Sequence, residues 1–284
     1  MGGTHVGFKV LVTGSASGIG LAITDRLAKA GAAVFATDAD GEALRAVAED
    51  HGWPGDRVHT AELDVRESSR WDAAQKAAIG AMDGLDTLIN VAGVIHPAWI
   101  HELDLEQAQL QVDVNLMGVL RGMRATTAGF VERRRGHVIN VASMAALAPI
   151  EGIAVYSATK YAVRSLSLAA SNELRRKGVA VTVICPDAVR TPMLDRQEAF
   201  EQADLVFSGS RELSPQEVAD AVLDAMHDRP LEVYLPRHRG WLARLADLFP
   251  ASATTISDLA RRRGHRRRTE LLDRVASVAK PQKR

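Results

Sequence analysis

Short runs of β-branched and apolar residues recur along this chain, each followed by a longer stretch with helical spacing. That alternation limits the possible folds more than any other feature. "KVLVT" (9–13) reads as a first strand and "LAITDRLAKAG" (21–31) as a helix closed by glycine. Further strands are expected at 32–38, 57–65, 86–93, 136–143, 179–186 and 231–235. Helices are expected near 41–50 and 67–81, over a long 105–131, over 156–178, and after Ser214-Pro215. Continuous apolar strands separated by helices imply an α/β chain whose parallel sheet is buried on both faces.

The turn between the first strand and first helix reads "TGSASGIG", with Gly14, Gly18 and Gly20. A helix N-terminus offers unpaired N–H groups and a positive dipole end, and glycines let the backbone come close to a pyrophosphate. The spacing GxxxGxG differs from the GxGxxG dinucleotide fingerprint, and a purely structural glycine turn is the other reading. Asp38 ends the second strand, 18 residues after Gly20, where an acid can bond ribose hydroxyls and repel a 2′-phosphate. NAD is therefore favoured over NADP. An exposed turn acid, with Ala39 and Asp40 following, is the alternative.

"YSATK" (156–160) places Tyr156 and Lys160 at i, i+4, on one helix face. A free phenol titrates near 10, so an adjacent ammonium is a plausible means of bringing it toward neutrality for general acid–base work.

Taken together, "TGSASGIG", "NVAG" (90–93), Asn115, Ser143 and "YSATK" resemble the short-chain dehydrogenase/reductase family in order and spacing, strongly over 8–192 and more loosely to 236. The resemblance implies a Rossmann-type doubly wound parallel sheet, with helices on both faces, and hydride exchange between NAD(H) and an alcohol or ketone. It implies that Tyr156 is the acid/base and that Lys160 lowers its pKa and holds the nicotinamide ribose. Ser143 would polarise the substrate oxygen, and Asn115 would anchor a water linking Lys160 to solvent. Cofactor contacts are implied for Gly14, Ser17, Gly18, Ile19, Gly20, Asp38, Asp64, Val65, Asn90, Ala92, Gly93, Pro186, Val189 and Thr191, besides Tyr156 and Lys160. "CPDAVRTPM" (185–193) departs from the family's "PG-x-V-x-T" segment, because Asp187 stands in place of the glycine.

Substrate choice is expected from the segment after the sixth strand, where Met193, Leu194, Phe200, Leu205, Val206 and Phe207 would form a mobile, apolar lid. Ala145, Leu147, Ile150, Ile153, Ile95, Pro97 and Trp99 add apolar surface, which suits a hydrophobic secondary alcohol or ketone. His96 and His101 are candidate substrate contacts or plain surface residues.

Net charge is zero, which excludes a general bias toward nucleic acid or membrane, but its distribution is uneven. Residues 237–284 hold 13 Lys/Arg against 4 Asp/Glu, a balance of +9, leaving −9 for 1–236. The expected division is a dinucleotide-binding and catalytic domain (1–236) and a basic, amphipathic helical extension (237–284). Trp241, Leu245 and Leu248 share a helical stripe there, with Arg244 elsewhere, before "RRR" (261–263, 266–268) and "LLDRVASVA" (271–279). Such a segment can lie on an anionic membrane, cross a subunit interface or dangle. Cys185 alone excludes an intrachain disulfide, and no run nears the roughly 18–20 apolar residues of a membrane span. With no signal-peptide core at the start and Val6 where myristoylation needs Ser or Thr, a cytoplasmic location is expected. No metal is implied. The resemblance implies a homodimer or homotetramer. Rival readings are an NADP-dependent ketoacyl-type reductase, a nucleotide-sensing or scaffold protein, and a nucleic-acid binder through the arginine tail.

Overall fold

The computed structural model describes residues 7–247 and 260–272. Its seven strands are β1 (Lys9–Thr13), β2 (Ala33–Asp38), β3 (Val58–Glu62), β4 (Thr87–Asn90), β5 (Gly136–Val141), β6 (Val179–Pro186) and β7 (Glu232–Leu235). All pair in parallel, in the order β3-β2-β1-β4-β5-β6-β7. The order reverses between β1 and β4, and at such a switch point the carboxyl ends of the strands leave a crevice for ligands.

Alternation along the strands divides the core into two layers. Val10, Val12, Val34, Ile89, Ile139 and Ile184 pack with Ile23 and Leu27 of α1 (Gly18–Lys29), Leu44 of α2 (Gly41–Asp50) and Val222 and Met226 of α8 (Pro215–Asp228). Leu11, Phe35, Leu88, Val138 and Val181 face the other way. They meet Trp71 of α3 (Ser68–Met82), Met123 and Phe130 of α5 (Val119–Glu132) and Val163 of α6 (Ala154–Leu174). Both faces are thus covered. The start of α8 is fixed by a capping box between Ser214 and Glu217.

Three strands end sooner than their apolar runs, each for a local reason. β3 stops at Glu62, and the Asp64 carboxylate then accepts from Arg66 N (2.9 Å) to turn the chain. β4 stops at Asn90 because Thr13 Oγ1 accepts from Val91 N (3.0 Å) and Ala92 N (3.1 Å), peeling the chain off the sheet. β5 stops at Val141, and Ser143 caps the short 3-10 turn that follows, accepting from Ala145 N (3.1 Å).

The expected helix over 105–131 is broken. α4 (Leu105–Val112) and α5 are joined by a π turn, Asp113–Gly118. Two short helical pieces follow β6, α7 (Pro192–Gln197) and a 3-10 segment (Glu201–Ser208). In the extension, α9 (Arg237–Asp247) packs Gly240 against the Tyr234 ring, and a further helix, α10, covers 260–272. Trp241 and Leu245 are exposed as the stripe requires, but Arg244 is not elsewhere, since its guanidinium lies 5.8 Å from the Trp241 ring centroid. Leu248 and residues 273–279 lie outside the described residues.

Candidate active site

The glycine turn and the carboxyl ends of β1, β2 and β4 enclose a cavity of about 480 Å³. Gly14, Ser17, Gly18, Ile19, Gly20, Asp38, Asp64, Val65, Ala92, Gly93 and Thr191 all line it. A cradle suited to a dinucleotide is built into the backbone here. A Cβ on Gly20 would overlap the Gly14 carbonyl, and one on Gly14 (φ 72°) would come within 3.0 Å of Ala92 Cα. Gly18 (φ 55°) sits in the left-handed region with Thr191 Cγ2 3.0 Å from where a Cβ would stand. Asp38 closes the far end, its Oδ2 accepting from Ala16 N (2.9 Å) and its Oδ1 from Asp40 N (3.1 Å). Asp64 is at the rim, held by Arg66 through contacts of 2.6 to 3.0 Å. Hydrogen bonding to Arg66 keeps its carboxyl below the usual range.

A second cavity of about 350 Å³ adjoins the first, sharing Ile19, Val91, Gly93, Thr191 and Met193. Ser143, Tyr156, Lys160, Pro186 and Val189 line it. Helix α6 delivers Tyr156 and Lys160 on one face, with Lys160 Nζ 5.6 Å from the phenol ring centroid. Nζ donates to Val141 O (3.0 Å) at the end of β5, where Ser143 follows. Burial is the main influence on both groups. It pushes the Tyr156 phenol up to about 12, with the Ser143 hydroxyl opposing, and brings the Lys160 ammonium down to about 8. The expectation that Lys160 depresses the phenol therefore needs correction for the protein alone, because desolvation outweighs any nearby charge. Cys185, fully buried with its thiol pushed up to about 12, is a core residue as expected.

Two of the expected catalytic and cofactor residues line neither cavity. Asn90 is buried, and its Nδ2 donates to Asn140 Oδ1 (2.8 Å), which belongs to a polar ladder running on to Ser167 (2.9 Å). Its side chain serves the core beneath the glycine-lined cavity. Asn115 lies in the π turn, fully buried rather than solvated. Its carboxamide grips Val94 from both sides, Nδ2 donating to the carbonyl and Oδ1 accepting from the N–H, each at 2.8 Å, and Nδ2 also meets Thr159 Oγ1 (3.2 Å). A Cβ on Gly93 would lie 3.3 Å from Asn115 Oδ1 and 3.6 Å from Lys160 Nζ, so the three groups converge.

The residue that replaces the family glycine has a partner. Asp187 is ion-paired with Arg239 of α9, which also lines the second cavity. Burial raises the Asp187 carboxyl and the guanidinium opposes that rise. Its φ is not in the left-handed region, so the backbone accepts a side chain here. Of the apolar candidates, Ile95, Ala145, Ile150, Ile153, Met193, Leu194, Leu205 and Val206 line this cavity. Phe207 and Leu147 are core, Phe200 is exposed, and Pro97 and Trp99 lie outside the lining. His96 offers only its backbone N–H to Gln111 Oε1 (3.2 Å), and His101 pairs with Glu102 at the surface (3.5 Å). Thr13, Gln197 and Arg239 escaped sequence reading; only the Thr of "TG", at a strand end, left a local signal.

The short chain dehydrogenase family model matches residues 9–202. The chain belongs to that family. Among short-chain dehydrogenases, the 3-alpha-(or 20-beta)-hydroxysteroid dehydrogenase of Mycobacterium tuberculosis is 35% identical over 78% of this chain and 84% of its own length. The 2,5-dichloro-2,5-cyclohexadiene-1,4-diol dehydrogenase LinX of Sphingobium indicum is 37% identical over 64% of this chain and 73% of its own. A crystal structure of a short chain dehydrogenase/reductase from Burkholderia phymatum in complex with NAD superposes with a TM-score of 0.78. It is 25% identical, over 86% of this chain and 94% of that one. The chain is thus an oxidoreductase of the short-chain dehydrogenase family, and no described helix is long and apolar enough to cross a membrane.

Proposed function

We propose that this short-chain dehydrogenase exchanges a hydride between NAD(H) and a hydrophobic secondary alcohol or ketone. The carrying observation is the convergence of Ser143, Tyr156 and Lys160 in an apolar cavity that opens into the glycine-lined one. NAD, when bound, supplies the hydride acceptor and a positive charge beside the phenol. Gly14, Gly18 and Gly20 would seat its pyrophosphate at the start of α1, and Asp38 would take the adenosine ribose.

The chain's own groups then have separable roles. Tyr156 holds or moves the proton at the substrate oxygen, with Ser143 hydrogen-bonded to the same oxygen. Lys160, kept near its titration point by burial, passes a proton or a charge as the reaction requires. Asn115 fixes the Gly93–Val94 backbone that faces Lys160. Ring-bearing secondary alcohols are the favoured substrate class, supported by the names of the two relatives and by the cavity's apolar walls. A homo-oligomer is part of this reading, and sedimentation would decide it.

The test is a screen of cyclic secondary alcohols with NAD and with NADP, using Tyr156→Phe and Asp38→Ala. Tyr156→Phe should lose about 10² or more of turnover while still binding NADH. Asp38→Ala should erode the preference for NAD. Equal turnover by Tyr156→Phe and the parent would sink the mechanism, and an unaltered preference in Asp38→Ala would sink the cofactor assignment.

A further inference from the structure

The segment "RRRGHRRR" (261–268) has the composition of a free basic tail, yet one side of it is engaged throughout its length. Arg268 is buried, with Nε 2.6 Å from Asp204 Oδ1 and Nη1 donating to Glu198 O (3.0 Å). Asp204 is buried as well, and its Oδ2 lies 3.0 Å from His265 Nδ1. Arg267 donates to Gly209 O and pairs with Glu212 (2.9 Å). All of these partners belong to the lid or to the residues just after it. At the other end of the helix, Arg261 reaches Glu151 (3.4 Å) and stacks 4.6 Å from the Trp99 ring centroid. Glu151 precedes Tyr156 by five residues, and a bridge from Ala98 to Ile153 ties Trp99's segment to the same connection.

Just before the Arg261 grip the helix touches the cavity itself. Ala260 lines it, and past the other grip Leu271 packs on the cluster of Leu194, Ala203 and Phe207 within the lid. Gly264 lies so close to the Asp204 carbonyl that a Cβ there would overlap it. A charge pair taken out of water is stable only while its geometry is kept, so the Asp204–Arg268 contact admits essentially one seating of the helix.

We propose that α10 is a strap across the mouth of the substrate cavity, and that Arg261, His265 and Arg268 are positioning residues that set which alcohols enter. The inference rests on the reading of that cavity as the alcohol site. The lid expected to be mobile is held down on this account. Substrates must fit beneath the strap or wait for the Asp204–Arg268 pair to part, so small alcohols are favoured over bulky ones.

The test uses the full chain with NAD, cyclohexanol as a small probe and androsterone as a bulky one. Gly264→Ala unseats the strap without altering any group at the reacting atoms, and should raise the KM for cyclohexanol about tenfold with kcat within about twofold. Its preference for androsterone over cyclohexanol should rise. Arg268→Lys keeps the charge but loses the planar fork, and should give a smaller rise of roughly threefold. Arg261→Gln, at a half-exposed grip, guards against a folding artefact and should do the same. NADH affinity, read by fluorescence, should stay at the parental value in all three. Trypsin should spare residues 261–268 in the parent and cut there in Gly264→Ala.

Two results would overturn the strap. One is a KM unmoved in Gly264→Ala while trypsin shows the helix unseated; the other is a KM that rises only together with the NADH dissociation constant. If the parent turns over neither probe, the dehydrogenase reading fails first. The strap then stands on tryptic protection alone, and equal cleavage of parent and Gly264→Ala would end it.

Discussion

Replacing Lys160 by methionine should stabilise the nucleotide-free protein near pH 7, although it removes a residue that the proposed reaction needs. Lys160 is 4% exposed, and burial lowers its ammonium from 10.5 to about 8. That difference corresponds to about 3 kcal/mol of penalty for carrying the charge in the folded state. Methionine fills similar volume without the charge, but forfeits the hydrogen bond to Val141 O, which is worth about 1 kcal/mol. The net gain is about 2 kcal/mol. Below pH 8 the amine is protonated in both folded and unfolded chains, so the penalty is complete. Between pH 8 and 10.5 the unfolded chain binds more protons than the folded one, so the parent gains stability as pH rises. The advantage of Lys160→Met should therefore be largest at or below pH 8, reach zero at about pH 10, and reverse above about pH 10.5, where only the lost hydrogen bond remains. Tyr156 and Cys185, both raised to about 12, lose stability as pH climbs past 10 and 9 respectively. Both are present in both proteins and are protonated in the folded and unfolded chains near pH 7, so they cancel in the difference there. Urea unfolding of the pair at pH 7, 8, 9 and 10 is the assay. A methionine variant less stable than the parent at pH 7, or a difference flat across the series, would refute the reasoning.

Gly20→Ala forces a methyl into the Gly14 carbonyl, so the loop must shift by the order of 1–3 kcal/mol of overpacking. Titration with NADH should show affinity reduced about tenfold or more, and the melting temperature should fall by a few degrees. Asn115→Ala leaves both Val94 backbone groups unpaired, at about 1–3 kcal/mol each, so it should melt earlier and turn over more slowly even at saturating NAD. His137 is buried, with its pKa lowered to about 3 and its Nδ1 unbonded. Its contribution is complete above pH 6.5 and lost as pH falls toward 3. His137→Phe should therefore flatten the acid limb of stability by about 3 kcal/mol between pH 7 and pH 4, measured by urea midpoints.

The sheet was legible because each strand is a short apolar, β-branched run with a turn beside it, and register follows from burial on both faces. Much of the candidate site was legible for a related reason. Its glycines and the Tyr156–Lys160 pair interact within a few residues of one another, so their spacing carries the geometry. The core role of the Asn90 side chain was not legible because its partner, Asn140, lies 50 residues later on the neighbouring strand. The arginine tail looked like a block of charge because Asp204 is 64 residues from Arg268 and Asp187 is 52 from Arg239. A charge balance sums such residues and cannot show which ones are paired across the fold.

The π turn at Asp113–Gly118 has a consequence for how this stretch tolerates change. Its hydrogen bonds close one residue further along than those of an α-helix, so the segment contains about one residue more than a regular helix of that length. Each residue advances a helix by about 100°, which sets the apolar stripe of α5 out of phase with that of α4 by roughly that angle. Side-chain replacements in the turn leave this offset alone. A single-residue deletion would restore an ordinary helix and, by doing so, would rotate either Met123 and Phe130 off the sheet or Asn115 off Val94. Loss of one residue here should harm the protein more than most exchanges, because what the extra residue supplies is an angle.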